Sequence, residues 1–296
     1  MVSVTLAVLG GGGNLGPWIV SELVSAGLSV TGVTREGSTN STPKFQEGLD
    51  VKTVNYNSFD ALKEAFTGQD AVVSVVGAPG INAQKLAVDA AIAAGVQRFI
   101  PSEFGVNTRR VRDQPIGKVL AGKIAVVDYL QEKAKEHPGF TWTGLTTGLF
   151  FDSVFKLGSS GINLQEKTVT IIDSGNEKWQ ASRKSHIGKA VVGILKHPEE
   201  TANKYIGTAS FNLSQNELVA IVEELTGQKL AVIPQSSKDL QKVGEEKLAQ
   251  GDYRAFVDLL RVHLHADGAG NALQDAANEV LGLPFEDLRE VVKSLL

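Results

Sequence analysis

The chain contains no cysteine, and this absence excludes disulfide bonds, thiolate metal sites and cysteine nucleophiles. No apolar stretch approaches the roughly 20 residues that a membrane-spanning helix requires. The 29 Lys and Arg residues do not outnumber the 33 Asp and Glu residues, so the net charge is −4 and attraction to nucleic acid or to a membrane surface is not expected. An N-terminus without a basic leader region, together with the missing cysteine, predicts a cytoplasmic protein.

The first 150 residues alternate short apolar runs with helical patterns. The predicted strands span residues 4–9, 29–34, 51–54, 71–76, 98–101 and 141–146. The predicted helices between them span residues 16–26, 59–66, 83–94 and 118–135. Alternating strands and helices are typical of a parallel sheet with right-handed crossovers. We therefore predict an α/β fold, a Rossmann-type doubly wound sheet, in a nucleotide-binding domain over residues 1–150.

The pattern changes after residue 150. We predict a hairpin from strands 167–172 and 177–181 around the turn Asp173-Ser174-Gly175-Asn176. Further helices are predicted over 186–196, 215–226 and most of 236–296, with short strands near 204–211 and 229–233. This predicts a smaller, mostly helical substrate-binding domain over residues 151–296, from which a segment near 182–212 returns to the first domain.

A glycine-rich turn follows the first predicted strand. Gly10, Gly13 and Gly16 form the pattern Gly-x-x-Gly-x-x-Gly directly before a predicted helix. Glycines permit the tight turn and let a pyrophosphate approach the backbone, so that its charge lies at the helix N-terminus. A nucleoside triphosphate P-loop is excluded because no Gly-Lys-Ser/Thr follows. The predicted cofactor-binding residues of the turn are Gly10, Gly11, Gly12, Gly13, Asn14, Leu15 and Gly16.

The end of the second predicted strand bears on the choice of cofactor. An acidic residue there binds the ribose hydroxyls of NAD, whereas an arginine accommodates the 2′-phosphate of NADP. The strand ends in Thr34-Arg35-Glu36, so both interpretations are available, and Lys44 follows within reach of the same phosphate. We favour NADPH, bound by Thr34, Arg35 and Lys44; the alternative is that Arg35 and Lys44 are solvated surface charges.

Several motifs together resemble the isoflavone reductase-like (NmrA-like) family of atypical short-chain dehydrogenases. The motifs are residues 10–16, Thr34-Arg35, Val75-Val76-Gly77, His186-Ile187-Gly188-Lys189-Ala190, Ser214-Gln215-Asn216-Glu217-Leu218-Val219 and, most specifically, Arg98-Phe99-Ile100-Pro101-Ser102-Glu103-Phe104-Gly105. The family includes phenylcoumaran benzylic ether and pinoresinol–lariciresinol reductases. The resemblance implies an NADPH-dependent reductase and adds Gly77 to the cofactor contacts.

The resemblance also implies a helix lysine as general acid/base, and the matching position is Lys123. A Tyr-x-x-x-Lys string, the pair that typical short-chain dehydrogenases use, occurs at Tyr129 and Lys133. That pair lies too far along its helix to reach the carboxyl edge of the sheet. Ser102, at the end of the fifth predicted strand, is expected to assist Lys123 by hydrogen bonding.

Aromatic residues stand where a substrate pocket would open. We predict that Phe104, Phe150 and Phe151 line it, although Phe150, Phe151 and Phe155 fit a core role equally well. The expected substrate is a hydrophobic, aromatic small molecule.

Some positions depart from the plant reductases. Val127 stands where their arginine faces the substrate, His186 stands where an acidic residue is common, and the loop 106–116 differs. These departures leave the substrate open. His263 and His265 do not predict a metal site, because their context is helical and a spacing of two directs both rings one way only on a strand.

Two alternatives accompany the enzyme hypothesis. Members of the NmrA branch bind NADP without catalysis and regulate a protein partner, and an epimerase or dehydratase would work through a transient ketone. The presence of Lys123 favours the enzyme over the regulator, and no tyrosine is placed as the base that the epimerase needs. The sequence leaves assembly as a homodimer open.

Overall fold

The computed structural model describes residues 4–38, 48–156 and 160–296. Lys44 lies outside these residues. The strands are β1 (Thr5–Leu9), β2 (Ser29–Arg35), β3 (Asp50–Val54), β4 (Ala71–Ser74), β5 (Arg98–Ile100), β6 (Thr141–Thr146), β7 (Leu149–Phe150), β8 (Ile162–Asn163), β9 (Thr168–Ile172), β10 (Trp179–Ser182), β11 (Lys204–Gly207), β12 (Phe211–Leu213) and β13 (Ala231–Gln235). The helices are α1 (Gly16–Ser25), α2 (Phe59–Phe66), α3 (Gln84–Ala93), α4 (Pro115–Val119), α5 (Ala121–Glu136), α6 (Phe151–Lys156), α7 (Lys184–Lys196), α8 (Pro198–Thr201), α9 (Gln215–Thr226), α10 (Ser237–Ala249), α11 (Ala255–His265) and α12 (Leu288–Leu295).

Seven strands form one sheet in the order β11-β6-β5-β4-β1-β2-β3. Every neighbouring pair in it is parallel. The strand order reverses beside β1, which lies next to both β2 and β4. The predicted fold class, a doubly wound parallel sheet of Rossmann type, is confirmed.

Helices cover both faces of this sheet, because its central strands are apolar on both sides. In β1, Ala7 and Leu9 join the core beneath α2, α3 and α5, whereas Leu6 and Val8 join the core beneath α1 and α7. Successive side chains of a strand point to opposite faces, so one five-residue run serves two cores. The layers are therefore helix, sheet and helix.

The C-terminal region has its own core. Two small sheets, β12-β10-β7 and β13-β9-β8, pack with the later helices around Trp179, Phe211, Leu218 and Val292. The helix α9 begins with a capping box, in which Ser214 and Glu217 each accept a hydrogen bond from the other's backbone nitrogen. In the part of the chain that the structure describes, no helix has the length and apolar character needed to cross a bilayer.

The predicted hairpin is wrong. Both strands exist as β9 and β10, but β9 pairs with β8 and β13, whereas β10 pairs with β7 and β12. The turn between them is bonded to the starts of two later helices. Asp173 accepts a hydrogen bond from the nitrogen of Ser237 in α10 at 2.9 Å, and the carbonyl oxygen of Gly175 accepts one from the nitrogen of Asn216 in α9 at 3.0 Å. Long-range pairing overrides the local turn signal.

The predicted helices also need correction in two places. The segment 118–135 is interrupted at Leu120, which lies between the end of α4 at Val119 and the start of α5 at Ala121. Residues 266–287 form no helix, although most of 236–296 was expected to be helical. Glycines at positive φ, Gly268, Gly270 and Gly282, break this stretch.

Candidate functional site

A cleft of about 480 Å³ opens at the carboxyl edge of the parallel sheet, beside the glycine turn. Gly10 begins the turn at φ +83°, a conformation that glycine adopts without strain. Its nitrogen donates to the carbonyl oxygen of Val33 at 2.8 Å, and the nitrogen of Gly13 donates to the carbonyl oxygen of Gly10 at 3.1 Å. The turn residues that line the cleft are Gly10, Gly12, Gly13, Asn14 and Leu15.

The glycines of the turn have different structural duties. A Cβ added at Gly16 would lie 2.2 Å from the carbonyl oxygen of Gly11, so these two residues let α1 start directly against the turn without lining the cleft. A Cβ added at Gly13 would meet only the carbonyl oxygen of Gly10, at 3.4 Å. The fold therefore requires glycine at position 16, whereas the glycine at position 13 leaves space in the cleft that a side chain would occupy.

The end of β2 forms one rim of the cleft. Thr34 and Arg35 both border it, and the Arg35 side chain is exposed. Tyr56 borders it as well, and its hydroxyl donates to the carbonyl oxygen of Val33 at 2.8 Å. Burial raises the pKa of Tyr56 above its ordinary value, so this phenol keeps its proton and the hydrogen bond that the proton makes.

The ends of β4 and β5 form the floor. Gly77 and Ser102 line it, and the Ser102 hydroxyl donates to the carbonyl oxygen of Val76 at 2.8 Å. The Ser102 nitrogen donates to Gln84 Oε1 at 2.9 Å. Ser102 therefore ties two strand ends together at the cleft, and its proton is engaged there.

Lys123 projects into this cleft from the first turn of α5. Its Nζ donates to the carbonyl oxygen of Glu103 at 2.7 Å. Burial lowers the pKa of Lys123, while the charge of Glu103 acts in the opposite direction. The ammonium group therefore releases its proton more readily than a solvent-exposed lysine does, in the same cleft as the glycine turn.

The predicted pocket phenylalanines separate into two groups. Phe104 and Phe150 line the cleft. Phe151 does not: it is fully buried in the C-terminal core, 4.8 Å from the Phe211 ring and 5.8 Å from the Phe155 ring, centroid to centroid. The expectation that Phe151 lines a pocket is corrected to a core role, because β7 ends at Phe150 and α6 turns the next side chain away.

The Tyr-x-x-x-Lys string lies away from the cleft. The Tyr129 hydroxyl donates to Asp89 at 2.5 Å, and Lys133 pairs with Glu136 at 2.8 Å. Burial, reinforced by Asp89, raises the pKa of Tyr129 to about 12. Tyr129 therefore joins α5 to α3, Lys133 pairs within α5, and neither lines the cleft.

The departures from the plant reductases also lie outside the cleft. Val127 is fully buried in the core beneath α3 and α5. His186 is buried on α7, where its Nε2 lies 2.8 Å from Thr208 Oγ1 and burial lowers its pKa to about 4. Arg109 and Arg112 of the loop 106–116 both pair with Asp128, at 2.7 and 2.5 Å.

His263 and His265 lie on α11, as expected from their helical context. The His265 ring packs edge-on against Trp179, with centroids 5.4 Å apart. Among residues 4–38, 48–156 and 160–296, no three His, Asp or Glu side chains gather as metal ligands.

Sequence reasoning missed several cleft residues, namely Ser38, Tyr56, Val75, Val76, Pro79 and Gly80. Tyr56 carried a usable signal, because it follows β3 by two residues and so lies at the carboxyl edge, where ligands of parallel sheets bind. Pro79 and Gly80 belong to a short 3₁₀ turn after β4, and their proximity depends on the path of that loop.

A parallel sheet with a glycine turn at its switch point is typical of dinucleotide-binding proteins. The chain belongs to the NmrA-like family, whose sequence profile matches residues 3–251. The resemblance inferred from the motifs is thereby confirmed.

Named relatives span the chain. Oxidoreductase aprR of Aspergillus flavus is 34% identical over 301 residues, which cover 100% of this chain and 99% of the relative. Isoflavone reductase homolog P3 of Arabidopsis thaliana is 28% identical over 236 residues, 76% of each chain. The solved structure of AtPrR2 with NADP⁺ and (+)-pinoresinol matches with a TM-score of 0.81 at 22% identity, over 100% of both chains, and so shares the fold.

Proposed function

We propose that this chain is an NADPH-dependent reductase that acts on a hydrophobic, aromatic small molecule, with Lys123 as general acid/base. The oxidoreductase class is supported by the relative from Aspergillus flavus, which covers the whole chain. NADPH is supported by the shared fold of a reductase that holds NADP⁺. The observation that carries the proposal is the amine of Lys123 in the same cleft as the glycine turn and Arg35.

The cleft residues fit a dinucleotide. The volume of about 480 Å³ lies within the range of ligand cavities, roughly 300–1,000 Å³. The space beside Gly13, which any side chain would fill, suits a pyrophosphate. The first turn of α1 carries no acidic residue, so its backbone N–H groups can meet the anion without repulsion. Arg35 at the rim would hold the 2′-phosphate, and Lys44 is proposed to join it.

NADPH supplies the hydride when bound, and the chain supplies orientation and the proton. Lys123 donates its proton to the substrate atom that gains negative charge, which its lowered pKa favours. Phe104 and Phe150 give the cleft an apolar wall that excludes water from the reacting groups. Ser102 keeps the ends of β4 and β5 aligned at the floor of the cleft, and Gly77 would be a further contact of the cofactor.

The decisive experiment is the variant Lys123→Ala, assayed with a panel of aromatic ethers, enones and quinones by the loss of NADPH absorbance. We expect turnover to fall by roughly 10²–10⁴. NADPH affinity should fall much less, because the glycine turn and Arg35 supply most of the binding.

The matched controls are Tyr129→Phe and Lys133→Ala on the same helix. Both lie outside the cleft, so turnover should stay within a few-fold of the wild-type value. An active Lys123→Ala beside an inactive Tyr129→Phe would reverse the assignment of the base. The regulator alternative would replace the enzyme only if no substrate were reduced while NADPH changed the affinity for a protein partner.

We further propose that residues 1–150 form the cofactor-binding domain of a cytoplasmic protein and residues 151–296 its substrate-binding domain. The segment 182–212 returns to the first domain in this division. Two contacts support the return: β11 pairs with β6, and α7 packs against α1.

A further inference from the structure

The loop after β5 carries a buried carboxylate. Glu103 is 1% exposed, and its Oε2 accepts two hydrogen bonds, one from Thr108 Oγ1 and one from the Tyr205 hydroxyl, each at 2.6 Å. Tyr205 reaches it from β11, 102 residues further along the chain. The Thr108 nitrogen donates to the Tyr205 hydroxyl at 3.2 Å, which closes the network. Buried charges persist where such donors satisfy them.

The same residue holds Lys123 through its backbone. The carbonyl oxygen of Glu103 accepts the hydrogen bond from Lys123 Nζ. The loop cannot easily shift, since the next residue but one, Gly105, accepts a bond from Thr146 Oγ1 at 2.6 Å. Phe104 between them has φ +26°, an uncommon conformation that its surroundings must maintain.

We propose that Glu103 is a positioning residue for Lys123. The Glu103 carbonyl oxygen aims the Lys123 amine into the cleft, and the Glu103 carboxylate, held by Tyr205 and Thr108, keeps that amine charged until its proton is needed. This inference rests on the proposed role of Lys123 as the acid. It assigns a purpose to a carboxylate that is buried beside the cleft and has two hydroxyl donors.

The physical argument concerns two opposed effects on one amine. Burial disfavours the charged ammonium, and a nearby negative charge favours it. If burial acted alone, the pKa of Lys123 would be lowered further. The Glu103 carboxylate acts against burial and restores part of the proton affinity of Lys123. Tyr205 and Thr108 hold that carboxylate in place through their hydroxyl groups.

Other charged groups face α5, but each has its own partner. Arg109 pairs with Asp128, one turn or more beyond Lys123, and its second nitrogen donates to the Ile124 carbonyl oxygen at 3.1 Å. Asp89 of α3 accepts the hydrogen bond from Tyr129. Glu103 is therefore the acidic group whose removal should change the titration of Lys123 most directly.

The test measures that titration without relying on turnover. The full chain is labelled with ¹³C-lysine, and the Cε signal missing from Lys123→Arg is followed against pH in wild type, Glu103→Gln and Glu132→Gln. Glu132→Gln is the matched control, because it removes one charge from an exposed position on α5. Thermal unfolding establishes that each variant is folded.

We expect the Lys123 midpoint in Glu103→Gln to fall by about one pH unit or more, and that in Glu132→Gln to stay at the wild-type value. Tyr205→Phe should move it in the same direction by less, and it replaces Glu103→Gln if that variant does not fold. An unchanged midpoint in the folded variant overturns the inference. A wild-type protein that reduces none of the panel would refute the proposed reaction but leave these midpoints measurable, so the two failures are distinguishable.

Discussion

Two substitutions in the glycine turn separate its contribution to folding from its contribution to cofactor binding. In Gly16→Ala, the new Cβ would lie 2.2 Å from the carbonyl oxygen of Gly11, 2.4 Å from its carbonyl carbon and 2.5 Å from its Cα. These atoms are backbone, so α1 or the turn must move by about 1 Å. Movement of α1 meets resistance from α7, because Gly188 already lies close to the Trp18 carbonyl oxygen. Overpacking of this kind costs about 1–3 kcal/mol.

The expected result is a lower melting temperature for Gly16→Ala. For a chain of this size, 1 kcal/mol corresponds to roughly 2 °C, so a cost at the upper limit lowers Tm by about 6 °C. Gly13→Val should leave Tm nearly unchanged, since its Cβ has one ordinary contact. It should weaken NADPH binding by about ten- to a hundred-fold, because one charge-assisted hydrogen bond to the phosphate is worth about 1.5–3 kcal/mol.

Circular dichroism melts and calorimetric titration of NADPH measure the two effects on the same preparations. Wild-type affinity in Gly13→Val would mean that the phosphates lie elsewhere. A wild-type melting temperature in Gly16→Ala would refute the close-contact reasoning.

Three further predictions concern charge. Arg35→Ala should weaken NADPH binding by about ten-fold or more and leave NADH unaffected, and a wild-type preference for NADH in titration calorimetry would refute it. Arg98 is buried and donates to three threonine hydroxyls and a carbonyl oxygen. Arg98→Met should therefore cost about 2–4 kcal/mol in urea unfolding, whereas the exposed Arg110→Met should cost almost nothing. Burial lowers the pKa of both His186 and His265 from 6.5 to about 4, so the unfolded chain binds more protons below pH 6.5. As the pH is lowered from 6.5 to about 4, the free energy of unfolding should therefore decrease by about 1–3 kcal/mol per histidine. In His186→Gln, the free energy of unfolding should depend less steeply on pH.

The parallel sheet could be predicted from sequence because its central strands are buried on both faces. The runs at β1 and β4 are almost wholly apolar, and each helix between them shows an apolar stripe. The predicted hairpin failed for the opposite reason. Asp173-Ser174-Gly175-Asn176 is a sound turn sequence, but β9 lies between β8, which precedes it in the chain, and β13, about sixty residues further on. No local pattern at the turn reveals the pairing with β13.

Some residues of the candidate site could likewise be predicted from the sequence, and others could not. Gly10 and Arg35 could be placed at the cleft because they lie at the carboxyl ends of β1 and β2. Lys123 was placed through the resemblance to the family, and it lines the same cleft. Phe150 and Phe151 could not be told apart, because only the pairing of β7 with β10 decides which neighbour faces the cleft. The link from Tyr205 to the loop after β5 joins residues 102 apart, a separation at which sequence spacing carries no information.

The return of the chain to the first sheet has a consequence for biosynthesis. When a nascent chain has emerged only to residue 150, β6 is an unpaired edge and the outer side of α1 lacks the covering that α7 provides. Unpaired edges and uncovered apolar faces are sites of aggregation. Both remain until residue 207 is available, when α7 and β11 complete the nucleotide-binding sheet. A ribosome that stalls between residues 150 and 207 would expose an aggregation-prone intermediate, and a chaperone would be needed during this interval.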